Sequence, residues 1–107
     1  MNNKPGQLKL KVVWFRNFLG LAIDYEVLNQ SYSLTPYYFW PKTEAWEQLK
    51  LELDSKFWLT KEEKNNILKT TGDLMNYWFS CRNLTTAKNT FLNDFKEVEV
   101  VTFNNYD

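Results

Sequence analysis

The stretch from Leu34 to Trp46, Leu-Thr-Pro-Tyr-Tyr-Phe-Trp-Pro-Lys-Thr-Glu-Ala-Trp, constrains this chain most, because four consecutive aromatics lie between two of its three prolines. Each proline drives the residue before it, Thr35 and Trp40, out of the α region, which predicts a short extended segment over Tyr37 to Trp40. Just past Pro41, Thr43 is the expected N-cap of a helix, with Glu44 and Glu47 in the first turn facing the positive end of its dipole. The chain is therefore expected to turn from strand to helix within about three residues.

Upstream, residues 1–7 are polar, contain Pro5 and Gly6, and predict a flexible tail. From Leu8 the pattern alternates: Leu8, Leu10, Val12 and Trp14 share one face, and Lys9, Lys11, Val13 and Phe15 the other. Arg16-Asn17 interrupts the alternation, and Asn tolerates the left-handed conformations of tight hairpins. It resumes over Leu19, Leu21, Ile23, Tyr25 and Val27, so the two runs predict an antiparallel hairpin. Asn29 to Ser33 is expected to be a loop, with Tyr37 to Trp40 the third strand.

A first helix, about Thr43 to Ser55, lines up Trp46, Leu49 and Leu53. Phe57-Trp58-Leu59 forms an apolar connection. Thr60-Lys61-Glu62-Glu63 then spells a capping box, in which Thr60 and Glu63 each satisfy a backbone donor at the start of a second helix, about Lys61 to Phe79. That helix buries Ile67, Leu68, Thr71, Leu74, Met75 and Trp78. Gly72 costs it up to about 1 kcal/mol unless it permits close packing. Residues 85–96 follow as a helix carrying Phe91, Leu92 and Phe95, and Glu97 to Phe103 as a strand.

The expected architecture is an α+β domain over residues 8–82, in which a small antiparallel three-stranded sheet is covered on one face by two helices. Residues 83–107 form a C-terminal extension. Its strand is expected to add to a neighbour's sheet, with Phe91, Leu92, Phe95, Val98 and Val100 contacting that partner, because the first three strands and two helices already make a closed unit. Pairing with the chain's own sheet is the alternative. The expected core is Trp14, Trp40, Pro41, Trp46, Leu49, Leu53, Trp58, Leu74 and Trp78, and among the tyrosines only Tyr32, Tyr37 and Tyr38 are expected to be partly exposed.

Catalytic chemistry finds little support. Without histidine the chain lacks the commonest general base near neutral pH and the usual metal ligand. Cys81 falls just past a helix C-terminus, the wrong end to activate a thiolate, and reads as a packed or idle thiol. Glu62 and Glu63 point about 100° apart, and capping already explains Glu63. Gly6, Gly20 and Gly72 are too far apart for a phosphate loop. Asp24 and Glu26 share a strand face that could bind a cation or a partner's arginine, although a solvated face is the plainer reading. No catalytic, cofactor or metal residue is expected, and no small-molecule substrate. A chain that is 44% hydrophobic yet has no run of 18 apolar residues should fold as one domain without a membrane span.

The motif Leu34-Thr35-x-Tyr37-x-Phe39-Trp40-Pro41, the run Ala45-Trp46-Glu47-x-Leu49-Lys50-x-Glu52-Leu53-x-Ser55-Lys56 and the helix end Met75-Asn76-Tyr77-Trp78 resemble the plastid-specific ribosomal protein 3 family. The resemblance extends from about Leu8 to Trp78. The connection before Leu34 lacks the glycines of that family, and nothing after Arg82 matches. It implies a structural component of the small ribosomal subunit of plastids and cyanobacteria, whose partners are small-subunit ribosomal RNA and adjacent ribosomal proteins. The alternative is a protein–protein adaptor or assembly factor that does not stay on the mature ribosome. Since no transit peptide is visible, and twelve asparagines and eleven lysines stand against two arginines, synthesis inside an AT-rich organelle is expected.

Charge is zero overall but unevenly placed. Residues 1–42 hold five basic and two acidic groups, net +3, leaving −3 for the rest. With the resemblance in view, Lys9, Lys11, Arg16 and Lys42 become the expected RNA contacts. Without it, Lys9 and Lys11 read as a solvated sheet face.

Overall fold

In the computed structural model residues 6–81 and 97–104 are described. Alternation becomes two long strands, β1 (Gly6–Phe15) and β2 (Leu19–Val27), paired antiparallel from Gly6↔Val27 to Trp14↔Leu19. The Phe15 amide donates to the Phe18 carbonyl at 3.0 Å, closing a turn at Arg16-Asn17. β1 starts two residues earlier than the sequence pattern suggests. A side chain at Gly6 would meet the Glu26 carbonyl at 2.6 Å, so only glycine lets the strand begin there.

Next come β3 (Gln30–Ser33) and β4 (Tyr38–Trp40), both antiparallel to β2 and lying along the same edge of it. Ser33 pairs with Asp24 and Tyr38 with Leu21, so the chain inserts two extra residues between them. Pro36 has no amide to offer the ladder in this gap. Instead Thr35 turns inward, 4% exposed, and its Oγ1 accepts the Ile23 amide at 3.0 Å. The motif's first proline thus divides one edge strand into two.

The helices α1 (Ala45–Asp54) and α2 (Lys61–Cys81) cover one face of the sheet. The capping box forms at the start of α2: the Glu63 amide donates to Thr60 Oγ1 at 3.0 Å and the Thr60 amide to Glu63 Oε1 at 2.8 Å. At α1 the expected cap differs. Glu44 holds the N-cap position without a side-chain bond, while Thr43 Oγ1 donates to the Phe39 carbonyl at 2.9 Å, because the turn closed by the Thr43 amide on that same carbonyl at 2.8 Å places the acceptor within its reach. Last comes β5 (Val98–Asn104), parallel to β1 from Leu10↔Val98 to Phe15↔Asn104 with an irregularity between Val12 and Val13.

The sheet is therefore mixed and five-stranded, in place of the expected three antiparallel strands. Two features account for the difference. Leu28 and Asn29 both take positive φ, 51° and 69°, the geometry of a two-residue hairpin turn, and this converts the expected loop into β3. Val98 and Val100 pack against the core, so β5 joins this chain's own sheet and their side chains are not offered to a neighbour. The expected helix over residues 85–96, with Phe91, Leu92 and Phe95, lies outside the described residues.

Leu10, Val12, Leu21, Ile23, Leu49, Leu53, Leu74 and Trp78 are fully buried between sheet and helices, and Trp14 nearly so. Trp40 and Trp46 are half-buried against them. Two expected core residues are outside it. Pro41 is exposed in the strand-to-helix turn, and Trp58 is 44% exposed on the α1–α2 connection, with its ring edge against Tyr25 at 5.2 Å.

Trp46 Nε1 donates to the Leu68 carbonyl at 2.9 Å, laying the indole across α2 beside Gly72. A Cβ at Gly72 would lie 3.7 Å from that nitrogen, an ordinary contact, so close packing does not require glycine here. Gly72→Ala is expected to raise stability by about 0.5–1 kcal/mol through helix propensity, read as a higher denaturation midpoint at unchanged slope.

Candidate nucleic-acid interface

The sheet face turned away from the helices divides into a charged half and an aromatic half. In the charged half Lys11 Nζ lies 3.1 Å from Asp24 Oδ2 and Lys9 Nζ 3.5 Å from Glu26 Oε2. Directly opposite Lys9 in the ladder is Asp24, so both pairs run diagonally between β1 and β2. Asp24 is 6% exposed, and a carboxylate buried this far needs its cation. The hydrogen bond to Asp24 raises the Lys11 pKa above the ordinary lysine value, against the lowering effect of burial. On the alkaline side the contribution from Lys11 is fully present at neutral pH and is lost as pH climbs through the raised lysine range. Asp24 and Glu26 need no external cation or arginine to explain them.

The aromatic half surrounds the β1–β2 turn. Phe15 and Phe18 stack at 4.6 Å, Phe18 meets Phe39 edge-on at 5.6 Å, and Tyr37 lies near-parallel to Phe39 at 6.3 Å. Gly20 lies below Phe39. A Cβ there would lie 2.7 Å from the Phe39 ring, so glycine lets the ring approach the sheet backbone. Burial raises the Tyr37 pKa, the phenol being partly withdrawn from water. Phe39 nonetheless remains 40% exposed. With Asn17, Phe18, Pro41 and Lys42 it lines an open groove of about 590 Å³.

The four expected RNA-contacting cations are thus divided. Lys9 and Lys11 face carboxylates of their own sheet, whereas Arg16 and Lys42 are exposed at the aromatic end, Arg16 in the turn beside Asn17 and Lys42 in the groove wall. Sequence reasoning placed Phe39 in the family motif but named neither it nor Phe18 as a contact residue. The available signal was that Phe39 alternates with Tyr38 and Trp40, both packed on the core, and so must face the other way. Among the described residues no group of three or more Cys, Asp or Glu is placed to hold a metal ion, and no helix is long and apolar enough to cross a membrane.

Residues 34–81, which include Phe39, Pro41 and Lys42, match the family described as plastid and cyanobacterial ribosomal protein (PSRP-3 / Ycf65). The chain is 42% identical over 87 residues to the small ribosomal subunit protein cS23 of Gracilaria tenuistipitata var. liui, covering 81% of this chain and 83% of that protein. It is 44% identical over 72 residues to the cS23 protein of Cyanidium caldarium, covering 67% of this chain and 71% of that one. Against the cS23 protein of Hordeum vulgare it is 38% identical over 72 residues, 66% of this chain but 40% of the longer barley protein.

Proposed function

Since this chain belongs to the plastid and cyanobacterial ribosomal protein family PSRP-3/Ycf65, we propose that it is a structural component of the small ribosomal subunit in plastids, working in translation by binding and not by catalysis. The observation that carries this reading is the 42% identity extending over 83% of a small-subunit protein, which leaves little of that relative unmatched. Its partners are small-subunit ribosomal RNA and neighbouring ribosomal proteins. Co-sedimentation is the direct test: the chain should remain with the small subunit through a high-salt wash. Release into the supernatant would favour an adaptor or assembly factor.

The RNA contact we propose centres on the aromatic end of the outer sheet face. Arg16 and Lys42 supply the phosphate contacts there, and Lys9 and Lys11 contribute only by leaving Glu26 and Asp24. Support comes from placement, since Lys42 lines the groove and Arg16 is exposed in the adjoining turn. The Lys9–Glu26 pair is partly exposed and worth at most about 1 kcal/mol, so phosphate can compete for Lys9 at a small cost, whereas drawing Lys11 away would strand the buried Asp24 carboxylate and costs more. Removing Arg16 and Lys42 together should flatten the log–log salt dependence of RNA affinity by about 1.4–1.8. Removing Lys9 and Lys11 should flatten it less. The reverse order in filter binding would transfer the phosphate contact to the charged half of the sheet.

A further inference from the structure

We propose that the groove at the β1–β2 turn is a nucleobase site, in which one unpaired base of ribosomal RNA stacks on the exposed part of Phe39 and its phosphate lies at Lys42. This rests on the reading of the chain as a small-subunit protein and goes beyond it by naming what enters the groove and which side chain holds it.

Four observations converge. Phe39 is 40% exposed although its neighbours in β4, Tyr38 and Trp40, pack on the core, so burial does not account for this ring. Its position is nevertheless built: Gly20 admits it to the backbone, Phe18 abuts it edge-on at 5.6 Å, and Tyr37 lies near-parallel to it, so the ring is held in place before any ligand arrives. The groove beside it has room for a nucleoside-sized group, about 590 Å³ in all, with apolar walls from Phe18, Phe39 and Pro41. Its polar lining is Asn17, an amide, and Lys42, a cation; among the described residues no carboxylate lines it.

These features suit a base better than an apolar side chain of a protein neighbour. A planar π-system flanked by a negative phosphate matches an exposed aromatic beside a lysine, and Arg16 in the adjoining turn extends the positive side. Duplex RNA keeps its bases stacked inside, so the occupant is a looped-out or single-stranded nucleotide.

The test uses the full chain, a short single-stranded oligoribonucleotide and a duplex of equal length. Phe39→Leu is expected to weaken single-strand binding by about tenfold with the salt slope unchanged, and Phe39→Trp to keep it, because stacking requires a ring and not merely an apolar group. Lys42→Gln is expected to flatten the single-strand slope by about 0.7. Should Phe39→Leu fold poorly, ultraviolet cross-linking of the unmodified chain on intact small subunits decides the matter, the expected result being a nucleotide adduct on the peptide containing Phe39. Equal affinities of Phe39→Leu and the unmodified chain, or a protein adduct on that peptide, would overturn the proposal. Retention on the subunit after the high-salt wash alongside either result would leave the ribosomal assignment standing and remove only the base site.

Discussion

Trp78→Ala should cost about 3–5 kcal/mol, a large share of the 5–15 kcal/mol that holds a domain of this size together. Trp78 is fully buried, meets Trp40 edge-on at 5.4 Å, and donates its indole N–H to the Phe15 carbonyl at 2.7 Å. One side chain therefore ties α2 to the β4 end of the motif and to the last residue of β1. Trp78→Phe separates these contributions. It keeps an aromatic in the cavity but leaves the Phe15 carbonyl without that donor, for an expected loss of about 1–3 kcal/mol from the bond beyond the change in packing. Since Phe15 begins the aromatic row that leads through Phe18 to Phe39, the Phe variant should also loosen the turn. Thermal melts check the first part, at about 4–8 °C per kcal/mol, and amide exchange at Arg16 to Phe18 checks the second. A Trp78→Ala protein melting within a few degrees of the parent would contradict the placement of α2 on the sheet.

What could be read from the sequence followed the range of the physics involved. The β1–β2 hairpin, both helices and the Thr60–Glu63 box are set by local periodicity and by a donor–acceptor exchange three residues apart, so the pattern contains them. β3 was hidden because Gln30 to Ser33 are all exposed and present no apolar alternation; what makes them a strand is the left-handed pair Leu28-Asn29, a backbone property that leucine does not advertise. At the interface, composition gave the basic half of the chain but not the partners within it. Lys9 and Lys11 look like available charge until the register sets Glu26 and Asp24 diagonally across from them. The aromatic groove depends on Gly20 and Phe39, nineteen positions apart, meeting across β2 and β4, a contact that only the two-residue offset after Ser33 fixes.

The C-terminal strand gives the second large effect. Alternation of Val98, Val100 and Thr102 with Glu97, Glu99 and Val101 identifies a strand but not its partner, because any edge with free amides and carbonyls will accept one. The sequence reading favours a neighbouring protein. In the structure Leu10 donates its amide to the Glu97 carbonyl at 2.7 Å, and Val98 and Val100 lie half-buried over the core opposite Leu10 and Val12. Half-burial of two valines is worth about 1 kcal/mol each, so truncation after Lys96 should cost about 2 kcal/mol and lower the melting temperature by several degrees. In the free monomer the β5 amides bonded to β1 should exchange slowly, at a rate approaching that of the β1–β2 ladder. The Val98→Ser, Val100→Ser double variant provides a control, since it keeps the chain length and the backbone pairing while removing the apolar contact. If truncation leaves the melt unchanged and these amides exchange as fast as a free tail, β5 does not hold to β1 in the isolated protein, and its order must come from a neighbour on the subunit. In that case truncation would weaken retention on the small subunit without weakening the fold, and the two measurements together assign the strand to one partner or the other.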